Sequence, residues 1–157
     1  DFAPITWVSK TCEEGDTCLI VISMYGTKRT KQNVLRTGQL TVNLATTGML
    51  PLVDYFGQTS GKEGLKAALP YAWGRALRVE APTLDESPWV CECQVASQVA
   101  TGESDTFFCR IRDVQVDEEI DVEGWGVDLT AFDPVIYSGY YHSLGKYLGA
   151  IGDFYQK

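Results

Sequence analysis

The sequence predicts a mainly β domain with short helices, arranged as a β-barrel with helical insertions. Three observations carry that reading. Short runs rich in β-branched and aromatic residues recur between turn-forming clusters, and the helical segments are brief and punctuated by Pro and Gly. The chain has 157 residues, 45% of them hydrophobic, which is enough for one core burying roughly 70% of the extended-chain surface. No internal repeat, low-complexity stretch or linker divides it, so residues 1–157 read as a single domain.

Residues 5–9 and 18–25 read as neighbouring strands, because both are β-rich and Glu13-Glu14-Gly15-Asp16 between them is turn chemistry. Residues 30–37 read as a short helix with Thr30 as N-cap, Val34 and Leu35 as its apolar contact and Gly38 as its stop. Residues 40–44 resume as a strand. Residues 49–58 form a second helix around an early Pro51, and residues 62–69 a third, introduced by Thr59-Ser60-Gly61 and ended by Pro70. Beyond Pro70, residues 77–80, 89–98, 106–116 and 135–138 read as strands, with Thr101-Gly102-Glu103-Ser104-Asp105 as a turn.

Alternation along residues 89–98 puts Trp89, Cys91, Cys93 and Val95 on a core face and Val90, Glu92 and Gln94 on the other. Cys91-Glu92-Cys93 is tighter than zinc-ligand spacing and His142 is the only histidine, so these thiols read as apolar core and no metal site is expected. Five cysteines, an odd number, suit reduced thiols in the cytoplasm better than a disulfide framework.

Charge excludes further classes. The net charge of −8 disfavours nucleic acid or an anionic membrane surface as a partner, and the longest clean apolar run, Leu19-Ile20-Val21-Ile22, is far short of a membrane span. The distribution is uneven: residues 26–78 carry eight bases and two acids, +6, which leaves −14 for the remainder. Residues 113–133 hold eight acids and no base. A small anion belongs in the first region.

Two segments there have anion-site chemistry. Gly57-Gln58-Thr59-Ser60-Gly61-Lys62-Glu63 fails as a nucleotide-triphosphate loop, since three residues separate its glycines and Glu63 stands where a magnesium-binding hydroxyl belongs. Its hydroxyls and flexible glycine at a helix start still suit a phosphate, against the plainer reading of a capped helix. Thr27-Lys28-Arg29-Thr30-Lys31 offers three cations and two hydroxyls, against the plainer reading of a solvated basic turn. The aromatic, glycine-rich residues 137–149 could line a flat ligand or simply pack as a rigid segment. No G-x-S-x-G elbow accompanies His142, so serine-hydrolase chemistry is not expected.

In order, Ala3-Pro4-Ile5-Thr6-Trp7-Val8-Ser9, Lys28-Arg29-Thr30-Lys31-Gln32-Asn33-Val34, Leu40-Thr41-Val42-Asn43 and the Thr59-Ser60-Gly61 turn resemble the flavin reductase-like family of FMN-binding split barrels. The Tyr-Tyr-His-Ser-Leu-Gly-Lys-Tyr-Leu-Gly stretch resembles its flavoredoxin-type branch. The resemblance implies a homodimer of split β-barrels holding FMN near the subunit interface, with a first strand preceding Asp1 that lies outside this sequence. It implies that Arg29, Thr30 and Asn33 meet the ribityl phosphate together with Thr59, Ser60, Gly61 and Lys62. Thr6, Trp7, Val8 and Ser9 would border the isoalloxazine, and His142, Lys146 and Tyr147 would approach the flavin or nicotinamide side. The implied activity passes electrons from NAD(P)H through FMN to a flavin, ferric or protein acceptor, with no catalytic side chain required. A non-catalytic FMN electron carrier without a nicotinamide site, and a cofactor-free barrel using the basic patch for protein contacts, remain open beside it.

Overall fold

The computed structural model describes residues 1–6, 8–13, 17–120, 128–149 and 153, the side chains at 67 and 68 excepted. Its centre is a five-stranded antiparallel sheet in the order β1 (Val8–Cys12), β2 (Cys18–Tyr25), β7 (Ser104–Val116), β6 (Trp89–Thr101), β3 (Gln39–Asn43). Among the described residues the edge strands β1 and β3 do not pair with each other, so the barrel stays open. β1 begins later than the expected residues 5–9. Ile5 packs against the core instead, and Lys10 and Thr11 take the rungs opposite Ile20 and Leu19.

β6 and β7 form a long hairpin closed at Gly102, whose φ of 60° suits a residue without a Cβ. Ile22, Met24, Val34, Leu40, Cys93, Phe107 and Cys109 fill the core under the sheet. A second cluster of Met49, Leu52, Phe56 and Leu84, joined by Phe2 and Tyr71, lies beneath the second helix. The first helix, α1 (Arg29–Thr37), buries Lys31 and Val34. Its N-cap is Lys28 rather than the expected Thr30, with no side-chain cap bond, so the Thr30 hydroxyl inside the first turn is available for other work. Gly38 ends α1 at φ 66°, as expected. The Lys31 ammonium reaches the Asp105 carboxylate at 2.8 Å and the Glu103 carbonyl at 3.0 Å, fastening α1 to the tip of the β6–β7 hairpin.

A 3₁₀ turn, Thr47–Met49, leads into α2 (Leu50–Gln58), with Pro51 in its first turn where a missing N–H costs nothing. The expected helix over residues 62–69 is only a turn followed by a 3₁₀ segment, Leu65–Ala68. Gly64 precedes that segment with φ 72°, a left-handed conformation that stops α-helical propagation. Two short strands not foreseen, β4 (Trp73–Arg75) and β5 (Pro82–Leu84), pair with each other. Residues 77–80, expected as a strand, form the bend between them.

Glu92 accounts for that bend. Its carboxylate accepts the backbone N–H groups of Leu77 at 2.8 Å and Arg78 at 2.5 Å and the Gln115 amide at 2.6 Å, so these amides are turned onto a side chain instead of a neighbouring strand. Glu92 is fully buried and Val90 is buried beside it, so the β6 face expected to lie away from the core is covered at these two positions, while Gln94 stays exposed. A bulge between Glu92 and Cys93 interrupts the alternation. β8 (Ile136–Tyr137) and β9 (Tyr141–His142) make a small hairpin past a 3₁₀ turn at Leu129–Ala131. No helix among the described residues is long and apolar enough to cross a membrane.

Candidate functional site

Two helix-start segments far apart in sequence meet in space. The Lys62 ammonium donates to the Thr27 hydroxyl at 3.2 Å, joining the turn after α2 to the turn before α1. Between them lies an anion. Thr30 donates its hydroxyl to Oδ2 of Asp1 at 2.6 Å, and the Lys66 ammonium stands 3.6 Å from Oδ1. A Cβ placed on Gly61 would lie 2.6 Å from Oδ1, so the carboxylate fits against bare backbone there.

Lys66 forms the floor of this cradle. It is 7% exposed, donates to the Phe2 carbonyl and sits 5.5 Å from the centroid of the Phe56 ring. Burial, and then repulsion from Lys28, lowers its pKa, so an anion beside it would favour the charged form that the apolar surroundings disfavour. The other residues expected at a phosphate divide into those near the carboxylate and those bonded elsewhere. Asn33 is half-buried, one turn along α1 from Thr30 and Arg29, and therefore on their helical face. Thr59 donates its hydroxyl to the Tyr55 carbonyl at 2.6 Å, closing the end of α2, and the Ser60 hydroxyl accepts the Lys62 N–H at 3.2 Å.

The segment expected at the ring leads into β1, an edge strand of the sheet. Thr6 is exposed, its carbonyl accepting the Val8 N–H at 3.2 Å, and Val8 and Ser9 open β1 as exposed residues opposite Ile22 and Val21. Trp7 lies outside the described residues. His142 is exposed on β9, and Lys146 and Tyr147 are exposed beyond it. Their segment is tied to α2, where Tyr141 donates to Asp54 at 2.9 Å, a bond that raises the tyrosine's pKa. A groove of about 1300 Å³ begins at Asp1 and Phe2 and runs past Tyr71, Trp73, Arg75 and Arg78.

Residues 1–144 match the family model described as the flavin reductase like domain. The chain belongs to that family. Flavin reductase-like folds are also its structural likeness: a flavoredoxin from Methanosarcina acetivorans superposes with a TM-score of 0.87 at 22% identity, covering 97% of this chain and 81% of that one. A flavoredoxin of Desulfovibrio vulgaris (Miyazaki F) gives 0.85 at 24% identity, covering 97% and 82%. A putative flavin reductase with a split barrel domain from Shewanella frigidimarina gives 0.79 at 19%, covering 94% and 76%. The open sheet with two short helices is thus the split-barrel fold. No curated protein matches the chain by sequence.

Within this flavin reductase-like domain, sequence reasoning missed Asp1 and Lys66. Lys66 had one signal, membership of the +6 segment, but its position on the cradle floor depends on the turn at Gly64, which local pattern does not encode.

Proposed function

We propose that the chain is an FMN-binding oxidoreductase that passes electrons from NAD(P)H to a flavin, ferric or protein acceptor. One observation carries the reading: an anionic oxygen pair already rests between the Thr30 hydroxyl, the Gly61 backbone and the Lys66 ammonium, at the junction of two helix-start segments. A terminal phosphate has the same requirements for donors, positive charge and close backbone approach.

Arg29, Thr30, Gly61, Lys62 and Lys66 would hold that phosphate, with Asn33, Thr59 and Ser60 around it. Bound FMN supplies two-electron acceptance and onward transfer, chemistry that no side chain here provides. The protein's own part is positioning. Thr30 and Gly61 fix the anchor, Lys66 neutralises it, and Phe2, Tyr71 and Trp73 wall an apolar approach from the groove. Arg75 and Arg78 on the groove's rim would attract the phosphates of a nicotinamide nucleotide. Thr6, Trp7, Val8 and Ser9 would serve the ring, and His142, Lys146 and Tyr147 the nicotinamide side. Exposed Tyr140, Tyr147 and Leu148, each at least 75% accessible, support a homodimer that covers them. Five free thiols support a reducing, cytoplasmic location.

A second reading is an FMN electron carrier without a nicotinamide site. It is favoured by the outward placement of His142, Lys146 and Tyr147 and by the bond from their segment to Asp54. Anaerobic mixing of the FMN-loaded protein with NADH and with NADPH separates the two. Rapid bleaching of the flavin band supports the oxidoreductase, and a flavin that stays oxidised with both donors but is reduced by dithionite supports the carrier.

A further inference from the structure

Cys12 and Cys18 face each other on the last rung of the β1–β2 ladder. One step further, the Glu13 N–H donates to the Thr17 carbonyl at 2.8 Å, which makes 13 and 17 a hydrogen-bonded pair. Antiparallel rungs alternate, so 12 and 18 are a non-hydrogen-bonded pair, the kind with Cα atoms about 4.5 Å apart and side chains closest together. A disulfide spans Cα separations of about 4.4–6.8 Å.

A side-chain pair from the neighbouring strand also holds the end of this ladder. The Glu13 carboxylate takes a forked ion pair from Arg110 on β7, at 2.8 and 3.0 Å, and Arg110 stands opposite Leu19, next to Cys18. Cys12 is exposed and Cys18 half-buried, so a small reagent has access. The remaining cysteines lack this arrangement. Cys91 faces Val114, Cys93 faces Ile111 and Cys109 faces Val95 across the β6–β7 ladder. Burial raises the pKa of all three, Cys109 to about 11, which keeps them as thiols.

We propose that Cys12 and Cys18 form a reversible intrachain disulfide when the protein meets a low-molecular-weight disulfide such as oxidised glutathione. One cysteine thiolate attacks a glutathione sulfur, breaking its S–S bond, releasing one glutathione thiolate and leaving a mixed disulfide. The other cysteine thiolate then attacks the protein-side sulfur, forming the Cys12–Cys18 bond and expelling the second glutathione. Two cysteines lose two electrons, one glutathione disulfide becomes two thiols, and the two cysteine protons end on them. The bond would fix edge strand β1 in register on β2 without touching the anion cradle.

The test uses the folded full chain, equilibrated without oxygen in glutathione buffers of rising disulfide fraction, acid-quenched, unfolded, alkylated and cut with trypsin. Residues 11–28 leave as one peptide containing both cysteines. Alkylatable thiols should fall from five to three, with that peptide unalkylated and lighter by two hydrogens, and dithiothreitol should reverse the change. In Cys12→Ser the peptide should instead carry one alkyl or glutathionyl group, on Cys18. The folded protein should also oxidise at a glutathione ratio about tenfold or more less oxidising than the chain unfolded in guanidinium, because the fold supplies the proximity. Five alkylatable thiols at the oxidising end, glutathione adducts on both Cys12 and Cys18, a bond to a third cysteine, or equal ratios for folded and unfolded chains would each overturn the proposal.

Discussion

The Thr30 hydroxyl donates to the Asp1 carboxylate across 29 residues of sequence, so the strongest local anion of the cradle belongs to the protein itself. Asp1 and an incoming phosphate would compete for the same donors.

That competition gives the first prediction. Removing the charge with Asp1→Asn should tighten FMN binding several-fold, because the phosphate must displace the carboxylate from its donors and apparent affinity falls with the fraction of the cradle left free. Riboflavin, which lacks the phosphate, should be indifferent to the change. Arg29→Ala should act in the opposite sense, weakening FMN roughly 10- to 150-fold. Fluorescence titrations of the three proteins with both ligands check this, and equal affinity for FMN and riboflavin would place the phosphate elsewhere.

Glu92 should control acid stability. Burial works to raise its pKa, but the N–H groups of Leu77 and Arg78, the Gln115 amide and the Val79 N–H outweigh that and hold it below the ordinary 4.5. A depressed carboxylate stabilises the fold fully above its unfolded pKa and loses that contribution as pH falls through the lower folded value. The wild-type unfolding midpoint should therefore drop below about pH 4.5, and Glu92→Gln should flatten that part of the profile. At pH 7, Glu92→Ala should cost about 3 kcal/mol, since several donors lose their acceptor in a buried place. Urea melts across pH measure both effects.

The buried cysteines should prove dispensable for electron transfer. Cys91→Ala/Cys93→Ala removes side chains from the core face and should lower stability by roughly 1–2 kcal/mol per site through cavity formation. Flavin reduction by the folded variant should persist. Its complete loss with FMN still bound would make these thiols redox partners in turnover.

His142→Gln is the sharpest probe of the nicotinamide side. The substitution keeps a polar group of similar reach and removes the only imidazole. Alignment of two rings matters more for hydride transfer than a side-chain proton, so apparent nicotinamide affinity should fall while FMN content and the saturated rate change little. Stopped-flow reduction would contradict this by showing a collapsed rate at saturating nucleotide with FMN still bound.

How far the molecule was legible in its sequence depended on whether a feature is local. α1 ends at Gly38 and α2 opens around Pro51 because those residues act on their own backbone, and the pairing of basic and hydroxyl residues at 27–31 and 59–62 needed only neighbours in sequence. Residues 77–80 have an apolar, β-like pattern that says nothing of a carboxylate on β6 that claims the amides of Leu77 and Arg78. Alternation puts Glu92 on the face away from the core because it assumes one solvated side, whereas the bend between β4 and β5 covers it with its own amides. Lys66 and Asp1 reach the cradle only after the 3₁₀ turn and the N-terminal segment have packed.

Thr30 and Lys31 are adjacent on α1, one turned to the cradle and the other clamped to the tip of the β6–β7 hairpin. Occupancy of the cradle is therefore mechanically continuous with the longest strands of the sheet. A ligand at 100 times its dissociation constant adds about 2.7 kcal/mol to the folded state, and this linkage should appear as slower amide hydrogen exchange at the hairpin tip as well as around the ligand.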